Sequence, residues 1–228
     1  MTIYRLPVTF PLLLVSSSLL LSAPALAQTP LQQAMKAPTN GPVYSYDISY
    51  QTPKISAAGR VDPTRPVGKR VTVNRPAKSA WTKEFKEAVA EAEKNGDKDF
   101  WCSAMFESIP ANARLISQTA ATATYAFKPK LNMENKDDAK FTKNLTGTVT
   151  IDKENPAILS YRLTAPKSFK INLLARIKSF SLDLRCARAP DGRTYVKSSE
   201  VKVSGSALGK NFSENRLQKH SGLRRVSR

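Results

Sequence analysis

Between Phe141 and Val226 apolar and polar residues alternate more persistently than anywhere else in the 228-residue chain, and turn residues interrupt them at regular intervals. Nothing else in the sequence limits the fold as much, because alternation is the signature of a strand with one wet and one dry face. Leu145, Val149 and Ile151 share one parity, Lys153-Glu154-Asn155-Pro156 makes a turn, and Leu159, Tyr161 and Leu163 share a parity again. The stretch predicts an antiparallel meander. Its apolar face must be covered by the sheet's own curvature, by a helix or by a bound ligand.

Residues 1–27 have the layout of a signal peptide: Arg5, an apolar run through Leu12-Leu13-Leu14-Val15 and Leu19-Leu20-Leu21, and Ala25-Leu26-Ala27 as a cleavage site. Pro7, Pro11 and serines interrupt the run, which argues against a membrane anchor, and no cysteine stands at the cleavage site to carry a lipid. The mature chain is expected to start near Gln28 and to be periplasmic or secreted. Residues 28–42, rich in Pro, Gln, Thr, Asn and Gly, predict a flexible leader, and residues 43–228 a single domain.

The only cysteines, Cys102 and Cys186, both lie in the exported part, so a disulfide is expected. Metal-ligating thiolates are the poorer alternative, since neither cysteine has a second one nearby and His220 is the only histidine. Thirty-six Lys and Arg oppose eighteen Asp and Glu. In an exported protein that field points to an anionic membrane surface, lipopolysaccharide or an acidic envelope partner, or else to solubility and edge protection. From Ala157 onward sixteen basic residues face four acidic ones, with Arg224, Arg225 and Arg228 at the end, so the last strands are the candidate basic surface.

Upstream, Tyr44, Tyr46, Ile48 and Tyr50 alternate with polar residues in a half-buried strand. Two further strands precede a helix from Thr82 to Asn95, capped by Thr82 and ended by Gly96. A second short helix is expected after Asp99, where Phe100, Trp101, Met105 and Phe106 crowd together before Pro110. Arg114 to Thr119 and Thr122 to Lys128 read as strands, and Asn132 to Ala139 as a polar connector. Phe169, Ile171 and Leu173 occupy one parity and Phe180, Leu182, Leu184 and Cys186 the other, which demands a bulge or bend between Leu174 and Ser179.

Catalytic motifs are missing from the sequence. His220 has no serine or cysteine motif beside it and reads as a surface residue, Asp97 and Asp99 are explained by capping, and no glycine loop cradles phosphate. Basic charge with scattered aromatics occurs without any nucleic-acid-binding module, so nucleic acid is not an expected partner. No metal and no cofactor is expected.

One segment resembles a known family. The glycine-led strand from Gly147, the turn at Pro156, the second strand and the closing Pro166 resemble the strand-turn-strand signature of periplasmic lipoprotein carriers of the LolA and LolB type. Asp191-Gly192-Arg193-Thr194-Tyr195-Val196 looks like that family's next hairpin. The resemblance implies an α+β, mainly β fold: a curved antiparallel sheet, an incomplete barrel of meander topology, with a helical insertion packed on its concave face. It further implies an apolar concavity that shields acyl chains.

Two functions follow as expectations. The first is a non-catalytic carrier for a lipid or other apolar-chain ligand, held between Tyr44, Tyr46 and Tyr50 on one side and Phe100, Trp101, Met105 and Phe106 on the other. The second is a structural or interaction protein of the envelope, its concavity filled by aromatic side chains and its basic face bound to anionic lipid, lipopolysaccharide or an acidic protein.

Overall fold

A computed structural model describes residues 28–130 and 136–226, which leaves the expected signal peptide and Arg228 outside the described residues. Eleven strands lie in one antiparallel sheet: β1 Val43–Gln51, β2 Ser56–Val61, β3 Val71–Arg75, β4 Arg114–Gln118, β5 Thr122–Phe127, β6 Thr146–Asp152, β7 Ile158–Thr164, β8 Phe169–Lys170, β9 Ala175–Arg188, β10 Thr194–Ala207 and β11 Lys210–Val226. Their order is β3-β2-β1-β11-β10-β9-β7-β6-β5-β4, with β8 pairing β9. Two meanders therefore meet where β1 pairs with β11. β3 and β4 are left as edges and the barrel stays open.

The cross-strand rows show why the sheet has two such different faces. One row reads Ala57, Tyr50, Gln218, Ser199, Leu184, Tyr161, Val149, Tyr125 and Leu115, crossing β2, β1, β11, β10, β9, β7, β6, β5 and β4. The next reads Ala58, Ser49, Lys219, Ser198, Arg185, Ser160, Thr150, Thr124 and Ser117. The first is mostly apolar and faces the helices; the second is hydroxyl and base and faces water.

Three helices and a 3₁₀ segment cover the inner face. Helix α1, Pro30–Lys36, lies in the stretch expected to be a flexible leader. Thr29 and Gln32 close a capping box, Pro30 opens the first turn, and Leu31, Ala34 and Met35 face the main core. So short a helix is held by that packing rather than by its own propensity, which is how a segment of such polar composition becomes ordered.

Helix α2, Lys83–Asn95, follows the expectation: the Thr82 side chain accepts from the Phe85 amide and Gly96 ends the helix at φ +62°. Phe85, Ala88 and Val89 lie over Tyr50, Ala57 and Val73. The Glu93 carboxylate accepts from the amides of Gly68, Arg70 and Val71, which fixes α2 to the β2–β3 hairpin.

The second expected helix is a 3₁₀ segment, Cys102–Ser108. Phe100 and Trp101 are drawn out of it, because Trp101 bridges to Tyr195 and the Val196 amide donates to the Phe100 carbonyl. From Lys136 on, the expected polar connector is instead α3, Lys136–Thr142, whose Phe141 packs against Phe169 and Phe180, while the connector's first part lies outside the described residues; the ladder itself opens at Thr146.

Two parity expectations part company. Lys178 is the extra residue between the Ser179–Ser204 and Ile177–Gly205 pairs, so the bulge falls inside Leu174 to Ser179 as expected. In β7, by contrast, a register shift sets Ile158 opposite Ile151, so Ile158 is buried and Leu159 only half-buried. The expected disulfide joins Cys102 to Cys186 with 6.4 Å between Cα atoms, linking the 3₁₀ segment to β9 across 84 residues.

Candidate functional site

The expected ligand-facing residues divide into three groups. Tyr44 meets Trp101 edge to face at 6.0 Å and Tyr46 stacks on Phe100 at 4.1 Å, so the first strand and the aromatic cluster do face each other. They meet with no space between them. Phe100 also stacks on Tyr195 at 5.2 Å, and His220 stands edge-on to both Tyr46 and Phe100. Tyr50 belongs elsewhere, beside Phe85 at 5.5 Å under α2. Met105 and Phe106 pack against the main core.

The Tyr46 hydroxyl and the His220 ring in this aromatic plug have partners. The Tyr46 hydroxyl donates to the Gly96 carbonyl at 3.2 Å, and burial, reinforced by Asp97 and Asp99, pushes its pKa upward. Burial likewise raises the Tyr161 hydroxyl, which is bonded to the Ser108 hydroxyl at 2.8 Å. His220, read from sequence as a surface residue, is buried, because β11 runs beside β1 and points it at Tyr46. Burial lowers its pKa, and the neutral ring fits its partners: Nδ1–H donates to the Val196 carbonyl and Nε2 accepts from the Gln218 amide nitrogen at 2.9 Å.

A cleft of about 380 Å³ opens beside the plug, between the N-terminal segment and the ends of β7, β9 and β10. Its floor is Ala34, Phe106 and Ile158, and Ala37, Pro38 and Pro42 form the overhanging side. The opposite wall holds two arginines fixed by the chain. Arg193 lies 3.7 Å over the Trp101 ring and donates to Asp191 and to the carbonyls of Thr39 and Pro42. Arg188 donates to Asp152, Asn155 and Gly192. Burial works against ionisation of Asp152, but the hydrogen bonds from Arg188 and from the Asn155 and Glu154 amides prevail and hold its pKa below the usual carboxylate range.

Two other hollows differ in character. A gap of about 70 Å³ under α2 includes Tyr50 and Phe85 and is too small for more than a fragment. A broad dish of about 940 Å³ is lined by Ala126, Thr148 and Arg162 in one row and Thr146 and Thr164 in the next, on the solvent side of β5 to β7. Pro110 and Phe127 also border it, so its lining is as apolar as that of the 380 Å³ cleft, and it is the more open of the two.

Arg224 and Arg225 are exposed on β11 opposite Ser45 and Tyr44; Arg228 lies outside the described residues. Among the described residues, no group of three or more His, Cys, Asp or Glu is placed to hold a metal ion. No helix among them is long and apolar enough to cross a membrane. Compared with family models, with curated proteins and with solved structures, the chain gives no match.

Sequence reasoning missed α1, the two wall arginines and Tyr195. The first had a signal: Thr29 and Gln32 have capping-box spacing, and Leu31, Ala34 and Met35 fall on one helical face. The others act through pairings that only the fold creates.

Proposed function

We propose that the protein is a non-catalytic carrier of the periplasm or another exported compartment, binding a lipid or other molecule with one apolar chain in the cleft beneath its N-terminal segment. The observation that carries this reading is the 380 Å³ cleft, floored by Ala34, Phe106 and Ile158 and overhung by a segment that crosses it between α1 and β1. Its size falls in the range of small-molecule sites. Each methylene moved from water into such a space contributes about 0.8 kcal/mol, so a short stretch of chain offsets the cost of ordering it. Arg188 and Arg193 are committed to carbonyls and carboxylates, and their role is to hold the wall in shape. The disulfide supports an oxidising compartment. The segment from Gly147 to Pro166 is the sequence support for a carrier of the lipoprotein-carrier type.

The test is native mass spectrometry of protein purified from an exporting host, beside Ala37→Trp, which puts an indole into the cleft from its overhanging side. Wild type is expected to retain an adduct of lipid mass that Ala37→Trp lacks. A bare wild-type mass, together with no uptake of a fluorescent fatty acid, would sink the reading.

A second reading, an envelope interaction protein with a basic face, is favoured by the outer row in which Lys219 and Arg185 stand among hydroxyls. Asp183, Asp191 and Glu200, three of the four acids after Ala157, are each engaged by a neighbouring base. Salt-sensitive binding to anionic vesicles by adduct-free protein is its signature.

A further inference from the structure

The far end of the long strands carries a feature that the cleft does not use. β8 and β9 are joined by residues 171–174 and β10 and β11 by a two-residue turn at Leu208-Gly209, and the two tips lie side by side, with the Leu208 amide donating to the Leu174 carbonyl at 2.9 Å. Leu173 is 94%, Leu174 64% and Leu208 74% exposed. Among the described residues only six large apolar side chains are exposed, and half of them are gathered here.

Packing does not explain these leucines, and neither does turn chemistry. Leu208 has φ +50° and Gly209 φ +76°, and Leu208 is the one non-glycine residue of positive φ among those described. A two-residue hairpin turn with both central residues in that region favours Asn or Gly at the first position, and a branched apolar side chain there is strained. Residue 208 is thus a poor choice for the fold and an exposed one for solubility. Isolated surface leucines need no explanation, but a cluster at a protruding tip with a strained member does.

The surroundings supply the chemistry of the partner. Lys167, Lys170, Lys178 and Lys210 are exposed about the tips, and Arg176 lines the shallow 280 Å³ hollow between them together with Lys170 and the three leucines. No acidic residue occurs between Glu154 and Asp183 or between Glu200 and Glu214, so the two tips themselves carry only positive charge. Apolar side chains projecting from a ring of bases match the interface of an anionic bilayer, acyl chains below and phosphate oxygens around.

We propose that the paired tips at Leu173, Leu174 and Leu208 are a membrane-docking element, inserting into an anionic phospholipid surface while Lys170, Arg176 and Lys210 engage headgroup phosphates. The strands then stand on the membrane end first. Arg224 and Arg225 lie roughly 45 Å away along β11, judged from the rise per residue of a strand, and take no part.

The experiment uses the whole mature chain and vesicles of phosphatidylcholine with and without phosphatidylglycerol. Leu173→Ser, Leu174→Ser and Leu208→Asn combined are expected to weaken partitioning onto anionic vesicles about tenfold or more, with no loss of thermal stability because Asn suits the turn. Lys170→Gln with Lys210→Gln should weaken it about fivefold per charge. Arg224→Ala with Arg225→Ala should leave it unchanged. A polarity-sensitive dye on Leu173→Cys should shift to the blue on anionic vesicles. The proposal is overturned if wild type does not partition, if the leucine variant partitions like wild type, if the dye stays in water, or if the loss follows Arg224 and Arg225 instead. None of these variants touches the cleft, and Ala37→Trp leaves the tips intact, so the carrier reading and this one fail independently.

Discussion

The two ends of the β9–β10 pair are made of the same strands and treat their large side chains in opposite ways. At the end near Cys186, Tyr195 and Val196, aromatic rings stack at 4.1 to 5.2 Å, the buried hydroxyls and the imidazole have partners, and the disulfide ties the cover to the sheet. At the other end Leu173, Leu174 and Leu208 project into water beside exposed lysines. The contrast separates what maintains the fold from what is available for contact. Stability resides at the stapled end, and changes there should be large. The tip can change without harm to the fold.

Reduction, or Cys102→Ala with Cys186→Ala, should have the largest effect. The bond closes 84 residues, for which the chain-entropy model gives about 4–5 kcal/mol as an upper figure. Denaturant midpoints with and without reductant measure it. A loss below about 1 kcal/mol would place the stability elsewhere and break the comparison.

Phe100→Ala should come next. The ring is 2% exposed and touches Tyr46, Trp101, Tyr195 and His220, so its removal leaves a cavity that four rings cannot fill, at about 3–4 kcal/mol. Equilibrium unfolding checks the value. If these rings instead lined a vacant groove, the cost would be small and uptake of an apolar ligand would rise.

Much of this contrast was written in the sequence, though unevenly. The strands and their inward faces were legible because parity is a local property, and the clash between Phe169 and Phe180 parity even confined the bulge to residues 174–179, where Lys178 is the extra residue. The same logic misplaced Leu159, since the shift opposite Ile151 leaves no mark in composition. The facing of Tyr44 and Tyr46 toward Phe100 and Trp101 was legible too. That they close on each other was not, because Tyr195 and His220 complete the stack from strands far along the chain. Leu173 was read as the continuation of a strand. Its exposure depends on β8 ending at Lys170, which no periodicity announces.

A pH effect sharpens the account of the stapled end. Burial depresses the His220 pKa in the folded protein, so between that value and the unfolded value of about 6.5 the unfolded chain binds the extra proton. Stability is therefore full above about pH 6.5 and falls as pH drops through that value. His220→Gln should flatten this part of the profile. Midpoints measured from neutral to mildly acidic pH decide it, and an unchanged slope in the variant would assign the acid sensitivity to carboxylates such as Asp152, whose depressed pKa acts lower on the scale.

The smallest expected change has the opposite sign. Leu208→Asn removes a branched apolar side chain from a φ of +50° and replaces it with a residue that tolerates that region, so stability should rise by about 1 kcal/mol. The Leu208 side chain is 74% exposed, so little packing is lost with it. A higher denaturation midpoint together with weaker partitioning onto anionic vesicles would mean that the wild-type residue favours contact at the expense of the fold. A lower midpoint would show instead that Leu208 stabilises the pair of tips, by covering Leu174 to which its backbone is bonded. The tips would then be a second stabilised end, and the difference between the two halves of the molecule would disappear.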